Sequence, residues 1–373
     1  MFNFKQYNFK NYNISLIILV ILQTSIGAFL IRLVQREGEN IFVKQILGII
    51  VGLFIIGLVS VIDYHFICEL YILMYIFNLG LLIAVKLVGV EIYGAQRWLD
   101  MGFFNLQPSE LSKVIMILVM AKLYTMLREK MNSVLALIIP GIIMAIPTYL
   151  ILIQTDLSSS MVLMFIFVMI VFAAGLSYKI IFPIIIIGIP LALGLFWYVQ
   201  QDFQIILEDY QQERLLSILN QEEYADTMYQ QDNSIQVIGS GRLSGKLLTE
   251  GIHSIQSDTF VPVSESDFIF SVAGEALGFI GSCVIILIYC IIIFKIFNIA
   301  RHAADRMGML IATGVASMFM FQVFVNIGVA TAILPNTGLP LPFLSYGLSS
   351  LLSSMIAIGI VSNISLQQKI KRG

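Results

Sequence analysis

The stretch FVPVSESDFIFSVAGEALG, residues 260–278, runs from a polar segment into a long apolar one, yet it carries Asp267 at the threshold and Glu275 further in. An ionisable side chain inside a membrane-crossing helix costs a few kcal/mol or more, so each is a functional candidate with a partner to be found. The two carboxylates stand eight residues apart, about 80° around a helix. Gly274 and Gly278 beside Glu275 allow close approach of a backbone or a ligand. Facing a bundle interior, the pair could supply a base or hold an ion. Equally, Asp267, Ser264 or Ser266 could cap the helix that follows, and Glu275 could be a buried hydrogen-bonding or packing element.

Other charges fall where charge is costly. In QPSELSKVIMILVM, Glu110 and Lys113 are three residues apart and share a helix face, either as a structural ion pair or as part of a site. Pro108 suits the first turn of that helix. In YGAQRWLDMG, Arg97 beside Trp98 reads as an interfacial belt feature or as an anion clamp, since a guanidinium grips phosphate oxygens in bidentate fashion. Asp156 in LIQTDLSSS joins two apolar runs, and a helix N-cap is the plain alternative there. The connection PNTGLPLPFLSYGLSS, residues 335–350, holds Pro335, Pro340, Pro342, Gly338 and Gly347. Such irregular backbone is tolerated at membrane depth only where it is buried in protein or lines a cavity.

The elements that must position these residues follow from composition. The chain is 58% hydrophobic and 12% charged with mean hydropathy +0.92, which a water-soluble domain of 373 residues does not carry. The fold class is therefore an all-α integral membrane protein. Ten apolar segments approach the roughly 20 residues a spanning helix needs. They lie near 14–33, 42–62, 66–88, 106–127, 134–154, 157–175, 179–199, 267–296, 307–334 and 342–365. The whole chain, 1–373, reads as one membrane domain with a single long external loop at 200–266. Cys68, Cys283 and Cys290 form no disulfide framework or CxxC pair, and His65, His253 and His302 have no zinc spacing.

An even span count puts both termini on one side. Lys10, Lys122, Arg128, Arg301, Arg306 and Lys371 fall on that side, while Arg32, Arg36, Lys44, Lys86 and Arg97 lie in short connections on the other, so the termini are expected in the cytoplasm. The long loop is acidic, which argues against nucleic acid as a partner. Phe203, Ile206, Leu207 and Tyr210 at helical spacing suggest an amphipathic helix on the outer leaflet or one packed on the protein. IGSGRLSGKLLTEG later in the loop favours turns and close backbone approach, with a phosphate loop as the weaker reading.

Taken together and in order, GAQRW, QPSELSK, QTDLS, IGSG, SDFIFSVAGEALGFIG, NIG and PNTGLPLPFLSYGLSS resemble the SEDS family of bacterial cell-wall polymerases, RodA, FtsW and SpoVE. The resemblance runs from the second span to the tenth. It implies a peptidoglycan glycosyltransferase that polymerises lipid II at the outer face of the cytoplasmic membrane, with a class B penicillin-binding protein crosslinking the product. By position Asp267 matches the family's essential aspartate and is implied as the general base. Partial burial would strengthen a carboxylate whose ordinary pKa is near ~4. Arg97 and Lys113 match family positions and are implied as cations for the lipid pyrophosphate leaving group, with Glu110 orienting Lys113. Asp156, Arg242, Glu275 and Ser345 complete the substrate-binding candidates. A divalent cation, Mg2+ or Mn2+, could share that task, though no ligand cluster in the sequence marks it.

Three departures stand out. Ala276 replaces the second carboxylate of the usual GEELG, Leu348 replaces a glycine of SYGGSS, and Arg242 stands where a glycine is common. Arg242 could add a phosphate contact or mark a subgroup. The VPVSESDFIF stretch leans towards the RodA branch and cell elongation, with a division or sporulation paralogue as the alternative. A lipid II flippase or ion-coupled carrier and a non-catalytic scaffold are the readings from other classes. A carrier would place its charges at mid-depth, whereas Arg97, Glu110, Lys113, Asp156 and Asp267 fall at the expected outer ends of their spans.

Overall fold

The computed structural model describes residues 7–176 except 37, 39, 93, 94, 103 and 132, then isolated residues between 186 and 201, then 225–251, 254–255 and 261–368. Helices α1 (Ile14–Val34), α2 (Ile41–Ser60), α3 (Tyr64–Glu69) and α4 (Tyr71–Val88) come first. Strands β1 (Val90–Ile92), β2 (Ala95–Asp100) and β3 (Asn105–Leu106) form an antiparallel sheet in that order. Helices α5 (Pro108–Met126), α6 (Leu135–Ile153) and α7 (Leu157–Ala173) follow, then α8 (Ala225–Ser240), α9 (Lys246–Thr249), α10 (Ile269–Arg301), α11 (Arg306–Ala330) and α12 (Leu348–Leu366). The expected span 179–199 and the 203–210 helix lie almost wholly outside the described residues.

Seven of these helices are long and apolar enough to cross a membrane, namely α1, α2, α4, α6, α10, α11 and α12, and α7 is apolar but shorter. Helices α2, α4 and α6 turn large side chains such as Phe54, Leu73 and Ile142 outward, as a lipid-facing wall requires. The inner layer is α5, α11 and α12. Helix α5 starts with Pro108 in its first turn and buries residues on all sides, among them Glu110, Lys113, Met116, Ile117 and Tyr124. Its polar side chains lower its hydropathy, and only the surrounding helices make it a membrane element. The chain is a multi-pass membrane protein.

Two spans differ from expectation. The segment 66–88 is two helices, with the chain turning at Leu70, and Asp63 caps the first by accepting from His65 N–H. The longest helix, α10, is interrupted at Gly278, whose φ of 68° and ψ of −166° leave the helical region. A Cβ there would sit 2.3 Å from Gly245 N, so glycine is required on both steric and conformational grounds. The N–H groups of Phe279 and Ile280 donate instead to the carbonyls of Arg242 (2.9 Å) and Leu243 (3.1 Å). Residues 269–277 are thus a half-helix held from the side by the glycine-rich loop.

At the end of the bundle away from β1–β3, His65 stands between two carboxylates. Its Nδ1 meets Asp63 Oδ1 at 2.8 Å and its Nε2 meets Asp305 Oδ2 at 2.9 Å. Ionised carboxylates only accept, so the ring bonds to both acids when each of its nitrogens carries a proton, as an imidazolium. Tyr64 and Gln367 donate to the same two acids, tying α3, α11 and the end of α12 together.

Candidate functional site

The turn 261–268 delivers Asp267 to the head of α10. Phe268, not Asp267, is the N-cap residue, and its side chain makes no capping bond. The cap reading of Asp267 therefore gives way to another arrangement. Three consecutive carbonyls of the turn are each held by a separate donor. Tyr346 N–H donates to Glu265 O at 2.8 Å, Ser345 Oγ to Ser266 O, and Asn326 Nδ2 to Asp267 O at 2.8 Å. With its backbone fixed, Asp267 accepts at Oδ1 from Ser266 Oγ at 3.0 Å and turns Oδ2 towards Gly338.

The donors come from the irregular segment 335–347 and from α11. Leu339, Leu341, Phe343 and Leu344 bury that segment in the core, while Gly338, Pro340 and Tyr346 line a cavity. Its backbone polar groups are met by side chains: Ser345 Oγ accepts from Leu341 N–H at 2.8 Å, and Asn326 Nδ2 donates to Leu339 O at 2.7 Å. Ser345 is thus a structural bridge between the loop and the aspartate's turn.

The cavity has a volume of about 790 Å³ and contains Asp267 and Glu265 on one side, with Lys44, Arg97, Trp98 and Gln107 among the residues from other elements. A space of that size admits a sugar pair with its phosphates. Arg97, half-buried on β2, donates from Nε to Gln154 O at 3.3 Å and from Nη2 to Thr155 O. Those contacts hold its guanidinium against the turn before α7, at the cavity wall. Arg97 is thus anchored to the protein and also lines the cavity.

The other sequence candidates lie outside the cavity wall. Lys113 Nζ contacts Glu110 Oε1 at 2.7 Å, and both are sealed within the bundle one turn along α5 from Gln107, at 1% and 2% exposure. Asp156 is also buried and caps α7: Oδ1 accepts from Ser159 N–H at 3.0 Å, and Oδ2 from Ser109 Oγ at 3.0 Å. Glu275 is fully buried and paired with Lys246, Nζ to Oε1 being 2.6 Å. Arg242 has an exposed side chain and a left-handed backbone, φ 49°, which accounts for glycine being common there. Leu348 faces Gly48 of α2, and Ala276 lies buried where Gly245 closes on its carbonyl.

A family model described as cell cycle protein, for FtsW, RodA and SpoVE, matches residues 7–370. The chain belongs to the FtsW/RodA/SpoVE family. The probable peptidoglycan glycosyltransferase FtsW of Trichlorobacter lovleyi is 30% identical, with 98% of this chain and 96% of that protein covered. Peptidoglycan glycosyltransferase MrdB of Escherichia coli K12 is 33% identical across 79% of this chain and 78% of that one. Stage V sporulation protein E of Bacillus subtilis is 32% identical across 78% and 76%. Among solved structures, Thermus thermophilus RodA superposes with a TM-score of 0.69 at 26% identity, covering 95% of this chain and 96% of that one. A chain from a peptidoglycan synthase complex that coordinates polymerization and crosslinking gives 0.79 at 26% identity, covering 95% and 97%.

Within this FtsW/RodA/SpoVE chain, three residues at or around the site escaped sequence reasoning. Lys44 is in the first turn of α2 and lines the cavity, but at the mouth of an apolar span it reads as a connection charge. Asn326 is visible only as part of NIG. Lys246 lies in a polar loop, where a lone lysine normally means solvent.

Proposed function

We propose that this chain, a peptidoglycan glycosyltransferase by family, polymerises lipid II in the cavity that Asp267 shares with Arg97 and Lys44. That shared cavity is the observation that carries the reading. Asp267 takes the proton from the acceptor sugar's 4-hydroxyl as that oxygen attacks the donor's anomeric carbon. The bond from that carbon to the pyrophosphate oxygen breaks, the configuration inverts, and the lipid pyrophosphate departs. Arg97 and Lys44 meet the negative charge that develops on the leaving group. Glu110 and Lys113 form a closed, formally neutral pair behind this wall, so in this conformation they support α5 rather than touch a ligand.

Among the described residues no three His, Cys, Asp or Glu converge as a metal cage. The acids at the cavity do not make a divalent-cation site by themselves, and no step above depends on one.

The cavity end is the outer face in this reading. Arg128, Arg301 and Arg306 stand at the opposite helix ends, as cytoplasmic connections require. The partner is a class B penicillin-binding protein, an assignment supported by the likeness to a chain of a peptidoglycan synthase complex. Likeness to RodA and the VPVSESDFIF stretch support a role in cell elongation. A division role is the second reading, favoured by the FtsW match across 98% of the chain.

Polymerisation of purified lipid II by the full chain with its transpeptidase tests this. Asp267→Ala and Asp267→Asn, normally folded, are expected to make no glycan strands. Strands from both would remove Asp267 as the base, and movement of lipid II across vesicles without any polymer would establish a transporter instead.

A further inference from the structure

The half-helix 269–277 is where the catalytic turn meets the membrane bundle, and the break at Gly278 uncouples its direction from residues 279–301. Something else must set its position. Helix α8 lies against it, with Ser234 Oγ and Ser271 Oγ 2.6 Å apart and Ser234 also donating to Ala330 O of α11 at 2.6 Å. The loop after α8 closes on its far end, where a Cβ on Gly241 would sit 2.0 Å from Gly274 O and one on Gly245 2.2 Å from Ala276 O. Between these contacts is one charged bond, Lys246 Nζ to Glu275 Oε1 at 2.6 Å, with Glu275 at 0% and Lys246 at 14% side-chain exposure.

We infer that Lys246 and Glu275 are positioning residues for the glycosyl transfer: their bond fixes the half-helix against the external loop and so holds Asp267 in register with the cavity. Neither residue lines that cavity, so neither touches substrate. A buried carboxylate without its partner would be strongly unfavourable, which makes the bond a reason for the loop to stay docked. The loop in turn caps the second half of α10 through the Arg242 and Leu243 carbonyls. One docking event therefore orders both halves of the helix and the turn before it.

This rests on the reading of Asp267 as the base, and the test separates the two. The full chain with its transpeptidase is assayed for glycan polymerisation, with kcat and KM resolved and normalised to folded, monodisperse protein. Lys246→Met and Glu275→Gln are expected to lower kcat about tenfold with KM for lipid II little changed, because small displacements of a catalytic group cost rate rather than binding. The acid limb of the pH–rate profile, which reports Asp267, should shift with them. Lys246→Arg should restore kcat. The double variant Lys246→Met/Glu275→Gln leaves no unpaired charge at this position, which removes the main reason for a single variant to fail to fold. If the pair only neutralises charge, the double variant regains wild-type kcat and an unshifted acid limb, and the inference is overturned. If it positions, the double variant stays impaired. An active Asp267→Asn would instead overturn the reading of the base, independently of these variants.

Discussion

Asn326 on α11 donates from its one amide nitrogen to two carbonyls, Asp267 O at 2.8 Å and Leu339 O at 2.7 Å. One buried side chain thus joins the turn that carries the carboxylate to the irregular segment that walls the cavity. Replacing Asn326 with alanine leaves both carbonyls without this donor, at a cost of about 1–3 kcal/mol for a buried group. The expected outcome is a lower thermal midpoint and a lower kcat together. A variant with unchanged kcat would show that the turn does not depend on this bridge.

Gly338 has φ 69°, and a Cβ built on it falls 3.3 Å from Asp267 Oδ2. Gly338→Ala therefore imposes a left-handed backbone on a residue with a side chain, at about 1–2 kcal/mol, and sets a methyl group against the carboxylate. Glycan synthesis should fall at least tenfold at saturating lipid II, measured on protein that still elutes as a single species. Full activity would mean that Oδ2 does not face the acceptor.

Lys44 and Arg97 share the cavity but differ in their other duties. Lys44 is exposed at the start of α2, so Lys44→Met should raise KM for lipid II about tenfold while thermal stability stays within about 0.5 kcal/mol. Arg97 also holds the carbonyls of Gln154 and Thr155. Arg97→Ala should raise KM similarly and lower the thermal midpoint as well. Unchanged kinetics at limiting lipid II in either variant would take that residue out of the pyrophosphate site.

The His65 cluster predicts a pH dependence of stability at the far end of the bundle. The bond to Asp305 raises His65 above its ordinary value, burial opposes this, and the bond to Asp63 adds to the rise. Burial pushes Asp63 and Asp305 up, but bonds from Gln367 and His65 to Asp63, and from His65, Gly308 and Tyr64 to Asp305, hold both below the usual carboxylate range. A raised histidine contributes stability fully present below its unfolded value of about 6.5 and lost as pH rises through its higher folded value. The lowered acids contribute above about 3.9, and that part is lost as pH falls through their folded values. His65→Gln should therefore lower the thermal midpoint most between about pH 5 and 6.5, with the gap to wild type closing in alkali. A gap of constant size from pH 5 to 9 would show that the ring is not charged in the fold.

What the sequence revealed depended on the range of the interaction. Long apolar runs with polar ends placed α1, α2 and α6 within a few residues, because one bilayer thickness sets each length. The break in α10 stayed hidden, since Gly278 lies in an apolar run and its backbone angles are imposed by a loop some thirty positions earlier in the chain. Asp267 and Arg97 stood out as charges beside spans and come together in one cavity. Asp156 took the plain course and caps α7, while Glu110 with Lys113 closed into a local pair. Lys44, Lys246 and Asn326 act through neighbours distant in sequence, and a lone lysine or asparagine carries no local sign of that.

Helix α5 has no face of its own to offer the lipid, and this bears on how the protein is made. Helices such as α2 or α4 are apolar enough to partition from the translocon one at a time. A helix that carries Glu110 and Lys113 is less so, since a charge costs up to about 2.5–3.5 kcal/mol on insertion scales, that value applying at mid-membrane and a smaller one towards the helix end where these two lie. The two charges, however, are one turn apart on the same helix and bond to each other, so the pair can form as soon as the turn does, before any neighbour arrives. What then remains is to cover the serines and the small residues around it, which α4, α6 and α7 do in the folded bundle, so entry of α5 beside one of these neighbours costs less than entry alone.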